Sequence, residues 1–282
     1  MKPLSRLFFI LLFITGLQAR SQCSCSTYTT DHKQLSIGVS YSHYASFSQL
    51  KTNTPMHAGY PSFDAAAPEI QGSFIWKRPR LTHHFRISTG FYGGLRSDDG
   101  LGNNELLDPD KSHLYSVFFQ YYFLRNLFQL WKIHTRFGFS SGLLYENRLL
   151  DFKGASQTKK AEMTTALGVI LNGKYPFSRS FGITGQFNAL FFIPYLGYGK
   201  YRMYDAGKEI YQSDFYSFAY NTIVKVGLSY QLNNRAVLTA GYSQNNRFGF
   251  SNGRPSFVID HLITYRMERI HQIFIAYTFA AR

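Results

Sequence analysis

The chain has 282 residues, with 30 Lys+Arg against 16 Asp+Glu, a formal charge of +14 and only 16% charged residues. A soluble domain carries about 25% charge, so a freely dissolving surface is not the expectation. Phe (27), Tyr (21) and Trp (2) are enriched, yet no internal run reaches the roughly 20 apolar residues of a membrane helix.

The first residues have three parts. Met1 to Arg6 is basic, Leu7 to Leu17 is apolar, and Ala19-Arg20-Ser21 offers a small-x-small cleavage site. This is the pattern of a secretory signal, residues 1–21, too short to span a bilayer. Export would leave 27 Lys+Arg against 16 acids, a formal charge of +11. A basic exported chain suits contact with an anionic surface such as lipopolysaccharide phosphates, or it simply carries its cations on rims and turns. Residues 22–34 read as a flexible segment. It holds Cys23 and Cys25, too close together to clamp a fold, and Arg20-Ser21-Gln22 is no lipidation signal. No nucleic-acid motif is present.

From Leu35 to Arg282 the chain alternates apolar and small or polar residues with a period of two, the signature of pleated strands with one greasy face. The first strand opens at Leu35-Ser36-Ile37-Gly38-Val39-Ser40-Tyr41-Ser42. Residues 48–68, with Pro55, Gly59, Pro61 and Pro68, read as a loop. The second strand is placed at 69–77, the third at 84–96 after the charged turn Lys77-Arg78-Pro79-Arg80, and a polar loop at 97–111. Strand four covers 112–124 and strand five 130–146, followed by a loop at 147–160. The clearest hairpin runs from Glu162 to Phe192 around Pro176-Phe177-Ser178-Arg179-Ser180. Its arms place Leu167, Val169, Phe187 and their neighbours on one face. A loop is expected at 195–212, strand eight at 213–231 and strand nine at 235–245, around the turn signal Asn233-Asn234. The last strand, 257–279, is long enough either to project beyond a membrane or to break at Met267-Glu268-Arg269.

Short connectors near 78–83, 125–130, 176–180 and 231–235 alternate with long ones near 48–68, 97–111, 147–160, 195–212 and 246–256. This predicts an all-β, antiparallel, up-and-down transmembrane barrel of ten strands. Its turns are short on the periplasmic side, its loops long on the extracellular side, and both termini are periplasmic. A soluble sandwich would need far more charge on its polar faces.

The mature Gln22 start, the aromatic alternating strands and the ending near Tyr277-Thr278-Phe279 resemble the outer-membrane β-barrel proteins of Gram-negative bacteria, in the Phe/Tyr-rich style of Bacteroidota members. The resemblance is architectural. It implies an outer-membrane location, with membrane lipid, lipopolysaccharide and the barrel assembly machinery as partners.

Three constellations carry candidate chemistry. Asp98-Asp99 and Asp260-His261 resemble the acidic and Asp–His pairs of omptin-type proteases, an alternative that would make the chain a hydrolase at the extracellular rim. Adjacent strand residues point to opposite faces, however, so neither pair naturally aims at one water. Ser251-Asn252-Gly253 resembles the Ser-Asn segment of barrel lipid A deacylases, but Gly249 stands where those enzymes need a His, so Ser251 lacks a base. The third set comprises Arg86, Tyr92, Arg96, His134, Arg136, Lys174, Gln186, Asn188 and Lys225 on the polar strand faces. These would line the lumen, either as an anion-favouring passage or as a filled core in which Glu146 and Glu162 pair with cations. No metal-ligand spacing and no phosphate or dinucleotide motif occurs, so no cofactor is expected. The favoured reading is a non-enzymatic outer-membrane barrel acting in surface interaction, envelope integrity or limited solute passage.

Overall fold

A computed structural model of the protein describes residues 32–51, 62–98, 107–130, 132–153, 156–178, 180–203, 208–214, 216–233, 235–251 and 263–281. The expected signal at 1–21, Cys23, Cys25, Asp99, Asn252, Gly253, Asp260 and His261 lie outside these residues. The described residues contain no helix. Their strands are β1 His32–Lys51, β2 Ser62–Lys77, β3 Leu81–Gly93, β4 Arg96–Asp98, β5 His113–Leu130 and β6 Ile133–Phe152, followed by β7 Ser156–Pro176, β8 Phe181–Met203, β9 Lys208–Asp214, β10 Tyr216–Asn233, β11 Ala236–Ser251 and β12 Ile263–Ala281.

All strand pairings are antiparallel, and β1 pairs with both β2 and β12, which closes the sheet. β3 and β4 share one wall position, both pairing with β2. β9 and β10 share another, both pairing with β8. The result is a closed ten-strand antiparallel barrel.

Strand parity sorts the side chains as the alternation predicts. On β1, Ile37, Val39 and Tyr41 are exposed, while Ser40 and Ser42 are buried. Leu167 (58% exposed), Phe187 (45%) and Val226 (45%) also face outward. Two pairs of exposed aromatics bracket the apolar band. Phe181 pairs with Tyr230 at one level and Phe191 with Tyr220 at another, ten residues along each strand. Ten residues at about 3.3 Å, tilted about 40°, rise roughly 25 Å, the height of the lipid-facing band of an outer-membrane barrel.

Several strands outrun their sequence-based bounds, for one reason. Beyond the hydrocarbon both faces meet water, so alternation fades while the backbone ladder continues. The expected loop at 147–160 is mostly strand, because β6 reaches Phe152 and β7 begins at Ser156. Likewise β8 continues to Met203 through much of the expected loop at 195–212. Its Pro194 is accommodated at a bulge: Thr164 pairs with Tyr195 and Thr165 with Ile193, so the proline is skipped. β12 runs unbroken through Met267–Arg269, paired on both sides, so the last strand projects rather than breaks.

The expected loop at 48–68 ends earlier, since β2 starts at Ser62 and includes Pro68. β3 pairs with β2 only from Glu69 onward, and β4 only up to Asp64. Pro68 therefore falls in a gap of the ladder where no amide hydrogen is required on that side. The gap is opened by Gly94, whose φ of 67° is a left-handed conformation suited to glycine. Its extra residue shifts the strand parity. Leu95, expected outward, is buried at 1%, and Arg96, expected in the lumen, is exposed.

Leu171 is 44% exposed and pairs with Phe187, midway along the apolar band. Leu171→Arg is expected to lower stability by about 2–4 kcal/mol in lipid vesicles, read from urea unfolding. A change within about 0.5 kcal/mol, normal for a water-exposed site, would count against a lipid-facing wall.

Candidate functional site in the barrel lumen

The inward faces build a lumen with three levels. The uppermost, toward the long connectors, is apolar. Phe63, Leu95, Leu107, Leu114 and Leu150 cluster there, in contact with Tyr44, Tyr92 and Ile270, which border the ionic level. Leu107 comes from the connector before β5, and its amide donates to Ser97 Oγ at 3.0 Å.

The middle level is ionic. Tyr44 on β1 donates to Glu268 Oε1 on β12 at 2.6 Å. Arg148 on β6 donates Nη2 both to that oxygen, at 3.0 Å, and to the Tyr44 hydroxyl oxygen, at 2.9 Å. Arg247 on β11 donates to Glu146 on β6, and to Glu268 Oε2 at 3.3 Å. Alongside, the Tyr92 hydroxyl donates to Glu69, which also accepts from Gln272 Nε2 at 2.6 Å. Around the closed ring β6 and β12 are directly opposite walls. The Arg148–Glu268 pair therefore crosses the lumen, with side chains only 11% and 5% exposed. A ten-strand barrel is narrow enough for two long side chains to meet in this way.

The lowest level, toward the short turns, is a polar cavity of about 220 Å³. Arg86, Gln186 and Lys225 line it together, with Gln71, Asn172 and His84. Arg86 Nη2 donates to Gln71 Oε1 at 2.8 Å, and Gln71 Nε2 donates to Ser40 Oγ at 2.9 Å. The Lys225 ammonium sits 3.9 Å from the Phe274 ring centroid.

The nine expected lumen residues thus separate. Arg86, Gln186 and Lys225 meet in the lower cavity. Asn188 is fully buried and accepts from Ser140 Oγ at 2.8 Å. Tyr92 belongs to the ionic level. His134 and Lys174 pair in register at the short-turn mouth, both exposed. Arg136 is nearby and donates Nε to Asn126 Oδ1 at 3.0 Å. Arg96 is outside, moved there by Gly94.

Sequence reasoning missed Arg148, Arg247, Glu268, Tyr44 and Glu69 as a group. Arg148 and Arg247 fell in expected loops, and Glu268 read as a strand break. The available signal was charge on the polar parity of an otherwise amphipathic strand. Glu146, expected to pair with a cation of the lumen set, pairs instead with Arg247, which was not in that set. Among the described residues no group of His, Cys, Asp or Glu is arranged to hold a metal ion. Of the rim candidates, Asp98 is described as a backbone position in β4, paired with Ser62.

No protein-family model and no curated protein sequence matches the chain. Among solved structures, the chain is similar to the outer membrane protease OmpT from Escherichia coli. The likeness has a TM-score of 0.63 at 13% identity, covering 92% of this chain and all of that one. It is also similar, at a TM-score of 0.44 and 9% identity, to the Ralstonia pickettii toluene transporter TbuX, over 89% of this chain and 90% of that one. The translocator domain of the autotransporter NalP from Neisseria meningitidis gives 0.40 at 7% identity, over 98% and 95%. At 13% identity the likeness to OmpT is one of fold, that of an outer-membrane barrel.

Removing one partner of a buried ion pair strands the others in a low-dielectric site. Glu268→Ala, which would leave Arg148, Arg247 and the Tyr44 hydroxyl without this acceptor, is expected to cost about 3–5 kcal/mol. The urea midpoint in lipid vesicles measures it; a loss below about 1 kcal/mol would place the carboxylate in water rather than across a closed lumen.

Proposed function

We propose that this protein is a non-catalytic integral outer-membrane barrel, closed to free diffusion in its resting state, that acts through its extracellular projections and its closed wall. Export would use the N-terminal signal at residues 1–21, and insertion the barrel assembly machinery. Outer-membrane lipid and lipopolysaccharide would be its immediate surroundings.

The observation that carries this reading is the Arg148–Glu268 pair between opposite walls, reinforced by Tyr44, Arg247 and Glu146. A water-filled pore needs a continuous polar path. Here the ionic level bridges the lumen, and the apolar cluster of Leu95, Leu107 and Leu150 lies above it. The strands rising past the apolar band, β6 to β9 above all, present a large surface on the long-connector side. That arrangement suits adhesion, surface recognition or mechanical integrity of the envelope better than bulk transport.

Planar-bilayer recording of the purified full chain is the test. The unmodified protein is expected to show no steady ohmic conductance. Arg148→Ala combined with Glu268→Ala removes both sides of the bridge and is expected to produce conducting steps. Steady conductance from the unmodified protein would overturn the closed-lumen reading. Cleavage of a peptide or of lipid A by the unmodified protein would overturn its non-catalytic part.

A further inference from the structure

Among the described residues the acids lie toward the long-connector end of the barrel. Every one of the 16 acids falls outside residues 32–63, 70–97, 111–145, 163–204, 215–259 and 269–282. These segments contain every short-turn hairpin but reach into the long-connector half as well, and Asp31 directly precedes β1. Cations are not excluded from them: Lys77, Arg86, Arg136, Lys174 and Lys225 all belong to the short-turn half. The lower cavity is therefore positive without internal compensation. Among the described residues no carboxylate forms an ion pair with Arg86 or Lys225.

The cavity also has unpaired polar atoms. The Gln186 Nε2 donor and His84 Nε2, a donor in one of the two imidazole tautomers, are buried and lack a hydrogen-bond partner among the described residues. A buried donor left unpaired costs about 1–3 kcal/mol, and a fold does not ordinarily leave several together. Arg86 is held in position by Gln71, itself anchored on Ser40. Pre-positioned guanidinium and ammonium groups, beside N–H donors and with no acid, complement a compact group carrying several acceptor oxygens. The volume of about 220 Å³ open to water centres is many times the roughly 10–15 Å³ that one water needs on this measure, enough for one small oxyanion with residual hydration. Lys77, Arg136 and Lys174 at the short-turn mouth draw anions of either origin toward it.

We propose that the short-turn half of the lumen is a binding site for a phosphate group, held by Arg86 and Lys225 with Gln186 and His84 as further donors. The phosphate could be free or carried by a lipid headgroup. The site is distinct from the ionic level above, and it does not depend on whether that level conducts: a barrel that passes current could still bind phosphate, and a closed one could fail to.

The test uses the full chain folded in a zwitterionic detergent, titrated with inorganic phosphate by calorimetry and by phosphorus NMR. Saturable single-site binding is expected, together with a rise in melting temperature that follows mass action. Arg86→Gln and Lys225→Met are each expected to weaken it about tenfold or more, the loss of one charge-assisted contact. Arg235→Gln, which removes an exposed charge from a turn at the same end of the barrel, should leave it unchanged. Dimethyl phosphate serves as the second probe. Tighter binding of inorganic phosphate assigns a free anion, and tighter binding of the diester assigns a lipid headgroup. Absence of saturable binding by the unmodified protein overturns the proposal, whatever the variants do. So does a thermal shift that chloride reproduces at matched ionic strength, or equal weakening by Arg235→Gln.

Discussion

The structure depends on ring closure. In hydrocarbon a backbone amide or carbonyl without a partner costs several kcal/mol, so a sheet that crosses a bilayer cannot keep an edge. β1 meets that demand by pairing with β2 and β12 along nearly all its length. Once the ring is closed, strand parity has only two destinations, lipid or lumen. Ile37, Val39 and Tyr41 go out because Ser40 and Ser42 go in. Close strand contact also dictates some residue choices. A methyl group on Gly138 would run into the Phe123 carbonyl oxygen of the neighbouring strand.

Closure of a ring this small forces the lumen question. Inward side chains from opposite walls come within reach of each other, and the polar parity must be satisfied without water. The barrel answers differently at each height. Where Tyr44, Arg148, Arg247, Glu146 and Glu268 face one another, charge satisfies charge. Such a network is weak evidence for net stability, because desolvation offsets most of the Coulomb gain. Its stronger effect is on specificity. A one-residue slip of β6 or β12 would turn Arg148 or Glu268 toward lipid, so the layer penalises wrong registers.

The wall was legible in the sequence for the same reason that it is stable. Alternation, aromatics and the rhythm of short and long connectors report directly on lipid contact and hairpin order. Leu167, Phe187 and Val226 face outward as their parity implies. Information about the lumen is harder to read, because residues that meet there are far apart in sequence: Tyr44 and Glu268 lie 224 positions apart. Charges in β6 and β11 also look like loop residues when no lipid-facing partner flanks them. Arg96 shows the limit of parity itself. One glycine at φ 67° resets the count, and nothing in Gly93-Gly94 says which of the two will do so. Arg86, Gln186 and Lys225, by contrast, sit in uninterrupted strands, and their shared face was readable from alternation alone.

The two polar levels are electrostatically unlike, and that difference follows from topology rather than from local pairing. Among the described residues every acid sits on the long-connector side of the hairpins, so the ionic level and what lies above it hold the negative charge of the described lumen. The lower cavity and its mouth hold only cations. A barrel wall is a low-dielectric tube, in which like charges interact more strongly than in bulk water. Arg86 and Lys225 therefore raise each other's free energy unless counter-charge is brought to them, and the acids of the ionic level are already engaged with Arg148 and Arg247. Gln71 can fix the position of Arg86, and the Phe274 ring can face the Lys225 ammonium, but neither neutralises it. In the phosphate-site proposal the compensating charge comes from solution, through the end of the barrel where Lys77, Arg136 and Lys174 stand.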